Sequence, residues 1–280
     1  MFEILRNDQI APQVHRLVVK APRVAAARLP GQFVIVRAGQ HSERIPLTIA
    51  DADASAGTIT LIVQAVGPST QEIVAAGSPA LRDVAGPLGR PTEIERLGKV
   101  VCVGGGVGTA VLYPLAKALA DAGNEVTTII GGRSEPFVIL RDEMAAFCKQ
   151  VLVTTEDGSL GVKGFVTAAL AEILADPARR PAAVYAVGPV PMMRAVAEQT
   201  RPFGIKTIVS LNPIMVDGTG MCGGCRVSVG GAIKFACVDG PEFDGHAVDY
   251  AELASRQNAY KEDRCRLADV PPAAPEDEQQ

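Results

Sequence analysis

Apolar and polar positions fall into three stretches of different rhythm. Up to about residue 95, short runs rich in β-branched and apolar residues recur: Phe2 to Arg6, Val14 to Lys20, Phe33 to Arg37 and Thr58 to Ala65. Turn signals at Asn7-Asp8, Pro22, Pro30-Gly31 and Gly57 separate them. Strands at that spacing predict an antiparallel barrel or sandwich. One helix is expected inside it, from Ser69-Thr70 to Ala76, capped by Ser69 or Thr70. The rhythm changes near Leu97. Strand patterns at Val100 to Val103, Glu125 to Ile130, Val151 to Thr155, Ala183 to Val187 and Lys206 to Leu211 alternate with helical ones. The helices are expected at Thr109 to Ala122, Glu143 to Lys149, Phe165 to Leu174 and Pro191 to Gln199. That alternation predicts a parallel sheet covered by helices on both faces. From Pro213 the pattern is a Gly/Cys cluster, a strand pair (Arg226 to Val229, Lys234 to Val238) and a charged helix from Tyr250 to Tyr260. Residues 269–280, rich in Pro, Ala, Glu and Asp, read as a disordered tail. Boundaries are thus placed after residues 96, 212 and 268.

Composition narrows the function classes. Of 280 residues, 48% are hydrophobic and 21% charged, the balance of a globular chain. A net charge of −4 supplies no basic field for nucleic acid. No run of about 18 apolar residues suggests a membrane span, and the N-terminus lacks a signal-peptide pattern, so a cytoplasmic protein is expected. In that reducing compartment, six cysteines point to metal ligation or burial rather than disulfides.

The cysteines carry the strongest chemical signal. Asp217, Cys222, Cys225 and Cys237 form the pattern D-x4-C-x2-C-x11-C. Plant-type [2Fe–2S] loops use C-x4-C-x2-C and a distant fourth Cys, and here Asp217 holds the first position. A carboxylate oxygen is a harder ligand that ferric iron accepts, so these four residues are candidate ligands of a [2Fe–2S] cluster. A structural zinc site and three inert buried thiols are the alternatives. Asp239, His246 and Cys265 are other candidates for the fourth ligand. Cys102, Cys148 and, in the simpler reading, Cys265 are expected to be inert.

The second signal is the string Gly104-Gly105-Gly106-Val107-Gly108-Thr109 between a predicted strand and a predicted helix. Glycines let main chain approach a pyrophosphate, and the helix N-terminus offers free N–H groups. Gly104, Gly106, Gly108 and Thr109 are the candidate contacts. After the next strand, Gly131-Gly132-Arg133-Ser134 occupies the place of a ribose 2′ group. It has no acidic residue for the 2′-hydroxyl of NAD; Arg133 is either a contact for a 2′-phosphate or a solvated loop charge. Asp157, and Gly188, Pro189 and Met192 of Val187-Gly-Pro-Val-Pro-Met-Met193, end later strands and would converge on the same crevice. Weaker candidates lie in the first stretch: Arg44, Pro46, Leu47 and Thr48, a cation beside a short strand with a hydroxyl; Ser69 and Thr70 opening its helix; and Gly86 in a rigid turn.

Together these motifs resemble the ferredoxin–NADP reductase superfamily. With a cluster segment at the C-terminal end, the chain resembles the electron-transfer subunits of dihydroorotate dehydrogenase. It is more similar still to the small subunits of NADH-dependent ferredoxin:NADP oxidoreductases. Glu43-Arg-Ile-Pro-Leu-Thr48, Ala186-Val-Gly-Pro-Val-Pro-Met-Met193, Met221-Cys-Gly-Gly-Cys-Arg226 and Phe235-Ala-Cys-Val-Asp-Gly-Pro-Glu-Phe-Asp-Gly245 carry the likeness. It implies an FAD-binding β-barrel (1–96), an NAD(P)-binding α/β domain (97–212) and a small [2Fe–2S] domain (213–268). Arg44, Pro46, Leu47 and Thr48 would then face the flavin, with Ser69 and Thr70 on its pyrophosphate. The superfamily places its flavin arginine two residues before an aromatic. Here Arg44 stands one residue early and Leu47 replaces the aromatic. The likeness further implies a relay between NAD(H), or NADP(H), and a partner by way of FAD and the cluster, with no general acid or base. That partner would be a large flavin and iron–sulfur subunit in an electron-bifurcating heterodimer that indirectly serves ferredoxin. A dihydroorotate dehydrogenase subunit, a stand-alone ferredoxin reductase and a non-catalytic nucleotide-binding module with zinc are the competing readings.

Overall fold

The computed structural model describes residues 1–75 and 80–259. The expected tail, Cys265 and the predicted helix end at Ala76 lie outside them. The first part contains β1 (Phe2–Ala11), β2 (Val14–Lys20), α1 (Pro22–Ala27), β3 (Phe33–Arg37), β4 (Ile45–Asp53), β5 (Thr58–Gln64), α2 (Pro68–Val74), β6 (Ala80–Leu81) and β7 (Asp83–Leu88). Its strands pair antiparallel in the order β6-β1-β2-β5-β4-β3-β7. The two end strands are adjacent in sequence, so the sheet curls into a nearly closed barrel. Leu17, Val19, Val34, Val36, Ile59, Leu61 and Val63 fill it from alternate positions of three strands, the period-2 pattern of a one-sided sheet.

The second part holds β8 (Lys99–Gly105), α3 (Gly108–Asp121), β9 (Glu125–Gly132), α4 (Arg141–Ala145), β10 (Gln150–Thr155), β11 (Val162–Lys163), α5 (Val166–Ala175), β12 (Ala183–Val187), α6 (Val190–Thr200) and β13 (Lys206–Ser210). Both faces of its strands are apolar. Val100, Cys102, Ala183 and Tyr185 pack with Leu112, Leu115, Leu119 and Met144 of α3 and α4. Val101, Val103, Val184 and Ala186 pack with Leu170, Ile173, Met193 and Val196 of α5 and α6. Strands buried on both faces read as continuous apolar runs, which made this region plain in the sequence.

The last part contributes β14 (Arg226–Val229), β15 (Ala232–Phe235), β16 (Glu242–Asp244) and α7 (Tyr250–Asn258). The sheet order is β11-β10-β9-β8-β12-β13-β16, parallel except that β16 runs antiparallel to β13. The expected all-parallel sheet is therefore a mixed one, because the cluster segment adds its own strand to the edge. Among the described residues no helix is long and apolar enough to cross a membrane.

Several local expectations shift. β1 runs through Asn7-Asp8, which pair in register with Leu17 and Arg16, and its bulges fall on either side, between Ile4 and Arg6 and between Gln9 and Ala11. Pro22 opens α1 rather than a turn; its missing N–H does no harm at a helix start. The nine residues of β4 extend well beyond Thr48. The helix expected at Glu143 to Lys149 is Arg141–Ala145. β15 begins at Ala232 because Gly230-Gly231, with φ of 60° and 77°, makes a two-residue hairpin turn.

Candidate functional site: a two-walled cleft and a cysteine loop

The chain order across the sheet reverses between β8 and β12. Loops leaving those two strands diverge there, and a crevice opens at their carboxyl ends. The barrel faces this crevice and closes it into a cleft of about 940 Å³. Gly105 to Gly108, Gly131 to Arg133 and Gly188, Pro189 and Met192 form the sheet wall. Pro46, Leu47, Thr48, Gln64 and Thr70 form the barrel wall, and Pro213, Met215 and Pro241 of the C-terminal part form one end. The volume is at the upper end of small-molecule sites, large enough for a flavin ring and a nicotinamide together.

The glycine loop has the geometry its composition promised. Gly106 adopts φ +56°, donates to Gly131 O (2.8 Å) and has open space where a side chain would point. A Cβ on Gly108 would sit 2.4 Å from Val187 O, so only glycine lets the N-terminus of α3 lie against β12. Val107, Gly108 and Ala110 at the start of this 14-residue helix thus line the cleft, the place in the fold where a helix tip receives a pyrophosphate. The buried Thr109 hydroxyl has no hydrogen-bond partner among the described residues. It lies under the loop against Gly104 instead of lining the cleft, and Gly104 is a packing position.

Other sequence candidates fall outside the cleft. Arg44 Nε donates to Val216 O (3.0 Å), tying the start of β4 to the cysteine loop. Ser69 Oγ donates to Glu43 (3.1 Å), while Thr70, one residue on, does line the cleft and its Oγ1 accepts from Gly67 N (3.0 Å). Gly86 packs on Val34. Asp157 Oδ1 accepts from Ser159 N and Oγ (3.0 and 2.7 Å), a bond to its own turn that holds the carboxyl below its ordinary pKa. Its neighbour Glu156 lines the cleft in its stead, beside Arg133. Sequence reasoning passed over Glu156, Thr154, Gln13 and Met215. Only Glu156, one place from a chosen residue at a strand end, carried a signal.

The candidate metal ligands occupy the loop after β13 and the turn after β15. Asp217 spans its own loop: Oδ2 accepts from Met221 N and Cys222 N (both 3.1 Å), and Oδ1 accepts from Thr219 N (3.1 Å) and the Thr219 hydroxyl. Those bonds, that of the Thr219 hydroxyl first, hold its carboxyl at about 2. Cys225 and Cys237 are buried as free thiols, Cys225 Sγ donating to Cys237 Sγ (3.2 Å). Burial, then contact with Cys225, pushes the Cys237 thiol up to about 12. Two thiolates that close are stable only with a cation between them, which is what iron supplies. Cys237 N and Gly224 N point at the sulfurs of Cys225 and Cys222 (3.4 and 3.5 Å), the N–H···S bonds typical of iron–sulfur loops. The donor set fits a [2Fe–2S] cluster. The exposed Cys222 and the loop-bound Asp217 still stand apart from the buried pair, since no three described His, Cys, Asp or Glu side chains share one metal-binding group. Two alternative ligands are engaged elsewhere: Asp239 accepts from Phe235 N (2.7 Å), and His246 Nε2 bonds Thr200 Oγ1 (3.0 Å) on α6.

Comparison with known proteins agrees with both halves of the site. The family model described as the iron-sulfur cluster binding domain of dihydroorotate dehydrogenase B matches residues 212–249. The oxidoreductase NAD-binding domain model matches residues 102–198. A Thermotoga maritima protein described as a dihydroorotate dehydrogenase B (NAD(+)) electron transfer subunit homolog is 48% identical over 261 residues, 93% of this chain and 92% of that one. The corresponding electron transfer subunit of Fusobacterium nucleatum is 34% identical over 245 residues, 85% and 93% of the two chains. A solved structure described as giving insights into flavin-based electron bifurcation, that of NADH-dependent reduced ferredoxin-NADP oxidoreductase, superposes with a TM-score of 0.89. It is 46% identical and covers 95% of this chain and 96% of its own.

Proposed function

Because the chain belongs to the family of dihydroorotate dehydrogenase B electron-transfer subunits and their homologues, we propose that it is the small half of an electron-bifurcating NADH-dependent ferredoxin:NADP oxidoreductase. The observation that carries this reading is continuity. The segment leading into Asp217 and Cys222 supplies Pro213 and Met215 to the wall of the same cleft that the glycine loop and barrel enclose. When bound, FAD and the [2Fe–2S] cluster supply the conversion between two-electron hydride chemistry and one-electron transfer. The residues supply placement. Gly106 to Gly108 would hold a pyrophosphate at the start of α3, and Pro46, Leu47 and Thr48 would hold the flavin ring against the barrel. Leu47 offers an aliphatic face, without the stacking ring of related reductases. Asp217 and the loop N–H groups would set the cluster environment, while Met215 and Pro241 shield the space between.

The exposed face of the cysteine loop fits a docking partner. Met221, Val216 and Val238 are among the exposed large apolar residues, and all three flank candidate ligands. We assign the large subunit to this face. The test is coexpression with that subunit from the same genome, followed by anaerobic assay. NADP+ reduction that requires both NADH and reduced ferredoxin, by the complex and not by either chain alone, is expected. Full-rate reduction of ferredoxin from NADPH by this chain alone would sink the reading. A dihydroorotate dehydrogenase half is favoured by the names of several relatives. Dihydroorotate-dependent NAD+ reduction by the purified complex would select it.

A further inference from the structure

α7 carries none of the motifs described so far, yet it closes over the cysteine loop. Asp249 caps it, the side chain accepting from Glu252 N (2.9 Å). Leu253, 1% exposed, pins it to the apolar core that the sheet and the cysteines share. Residues three and four places along a helix from an anchor lie on the anchor's face. Here those are Arg256 and Gln257, and each reaches one end of the loop. Gln257 Nε2 donates to Asn212 O (2.9 Å) and Asn212 Oδ1 (3.0 Å), just past β13. Arg256 Nη2 donates to Gly224 O (3.3 Å), inside the turn between Cys222 and Cys225.

Gly224 joins this arginine to the sulfurs. Its N–H points at Cys222 Sγ (3.5 Å), and its C=O accepts from Arg256. The C=O and N–H of a trans peptide point opposite ways, so fixing Gly224 O on α7 turns the Cys225 N–H away from the helix. A second observation marks Arg256 as facing a ligand. Its Nε is buried and has no hydrogen-bond partner among the described residues. Buried donors nearly always have partners, so an acceptor is expected against it. An arginine in the last turn of a helix also suits the helix dipole, but that role is met over the helix's own final carbonyls. Arg256 instead reaches a carbonyl 32 positions back in the chain.

Three thiolates and a carboxylate outweigh the positive charge of a [2Fe–2S] core, so the filled site is anionic. Reduction adds one more negative charge. A cation alongside therefore stabilises the reduced form more than the oxidised one, and net charge with hydrogen bonding at the sulfurs sets such potentials. A guanidinium keeps its charge at every physiological pH. Arg256 takes part in none of the ion pairs among the described residues, so no carboxylate neutralises it.

Resting on the reading that Asp217, Cys222, Cys225 and Cys237 hold a [2Fe–2S] cluster, we infer that Arg256 is the counter-charge of that cluster. α7 positions the guanidinium against the Cys222–Cys225 turn, where it stabilises the reduced form and raises the reduction potential. Arg256 is a positioning residue: it acts through Gly224 and through its charge, not as a ligand of iron.

Dye-mediated reductive titration of the anaerobically purified full chain, read by paramagnetic resonance, tests this without turnover. Arg256→Gln removes the charge and keeps an amide donor for Gly224 O. Arg256→Lys keeps the charge. At the potential that half-reduces the native cluster, the reduced-to-oxidised ratio in Arg256→Gln should fall at least about threefold, where tenfold is ~59 mV for a one-electron couple. Arg256→Lys should stay within about twofold of native. Loss of iron from Arg256→Gln alone, with flavin retained, would support the same requirement for charge. A native or higher ratio in Arg256→Gln overturns the assignment and leaves the cluster reading standing. Equal changes in the two variants, equal loss of iron included, do the same. A native chain that holds no iron after reconstitution with iron and sulfide, or gives no [2Fe–2S] signal on reduction, overturns the cluster reading and this assignment with it.

Discussion

Glu242 sits where the three parts of the chain meet. It lies on β16 opposite Ser210 of β13, and its Oε1 accepts from Thr92 Oγ1 (2.7 Å) in the segment leaving the barrel. Burial pushes its carboxyl up to about 7, against which the Thr92 bond pulls only partly. The nearby Cys102 and Tyr185 supply no positive charge. A glutamate in the unfolded chain titrates near ~4.3. Between that value and about 7 the folded chain holds a proton that the unfolded chain has released. Stability therefore falls as pH rises through this window and stays lower above it. Glu242→Gln should remove that loss and be more stable than the native chain at pH 8 by ~3–4 kcal/mol, with little difference at pH 4. Urea unfolding at the two pH values measures it; equal pH slopes in both proteins would count against the buried charge. At the cluster, Cys237→Ser leaves Cys225 without its sulfur neighbour. Iron in anaerobically purified protein should drop from about two atoms per chain to well below one, while flavin absorbance is retained. The cysteines were legible because ligand spacing is a local property of the sequence. Arg44 and Ser69 misled because the partners that claim them, Val216 and Glu43, lie 172 and 26 residues away.

At the scale of elements, the cleft depends on how closely α3 approaches β12. Gly108 makes that approach possible, and the atom it would strike is main-chain oxygen, which cannot rotate aside. Gly108→Ala should destabilise the chain by ~1–3 kcal/mol as the helix start is displaced. The same displacement moves the N–H groups at its tip, so ADP-ribose affinity should fall at least about tenfold. Denaturant midpoint and calorimetry read the two effects, and a stable variant with native affinity would show that the helix tip does not hold the ligand. The parallel strands were readable because burial on both faces leaves unbroken apolar runs. β4 was legible only as a short strand at its start, since its second half carries Asp51 and Asp53. β16 was invisible for another reason: three residues gain strand geometry only by pairing with β13.

Across the whole molecule, the C-terminal part shares its core with the rest. Cys225, Val227, Ala236, Cys237 and Phe243 belong to one apolar cluster with Val101, Val184 and Val209 of the sheet and with Phe33 and Ile35 of the barrel. Gly218 packs on Ile35 and Leu88, so the cysteine loop rests directly on the barrel. The Arg16–Glu143 ion pair adds a second bridge, between β2 and the first turn of α4. Loss of iron should therefore loosen only the loop. Limited proteolysis after chelation is expected to cut between residues 216 and 224 and to spare β16 and everything before residue 212. Equal cutting of the barrel would mean that the cluster holds the whole molecule together. The sequence alone determined the antiparallel strands of the first part, the covered parallel strands of the second, the glycine loop and the cysteine spacing. Each is written in local pattern, since strand period, helix period and ligand spacing involve residues near one another in the chain. Tertiary structure decided which carboxylate meets the cleft, that Arg44 serves the cysteine loop, and that the cluster segment completes both the sheet edge and the cleft wall. Those outcomes depend on pairings that no local pattern announces, Gly132 with Glu156, Val209 with Phe243 and Arg44 with Val216, and only the packed chain brings such residues together.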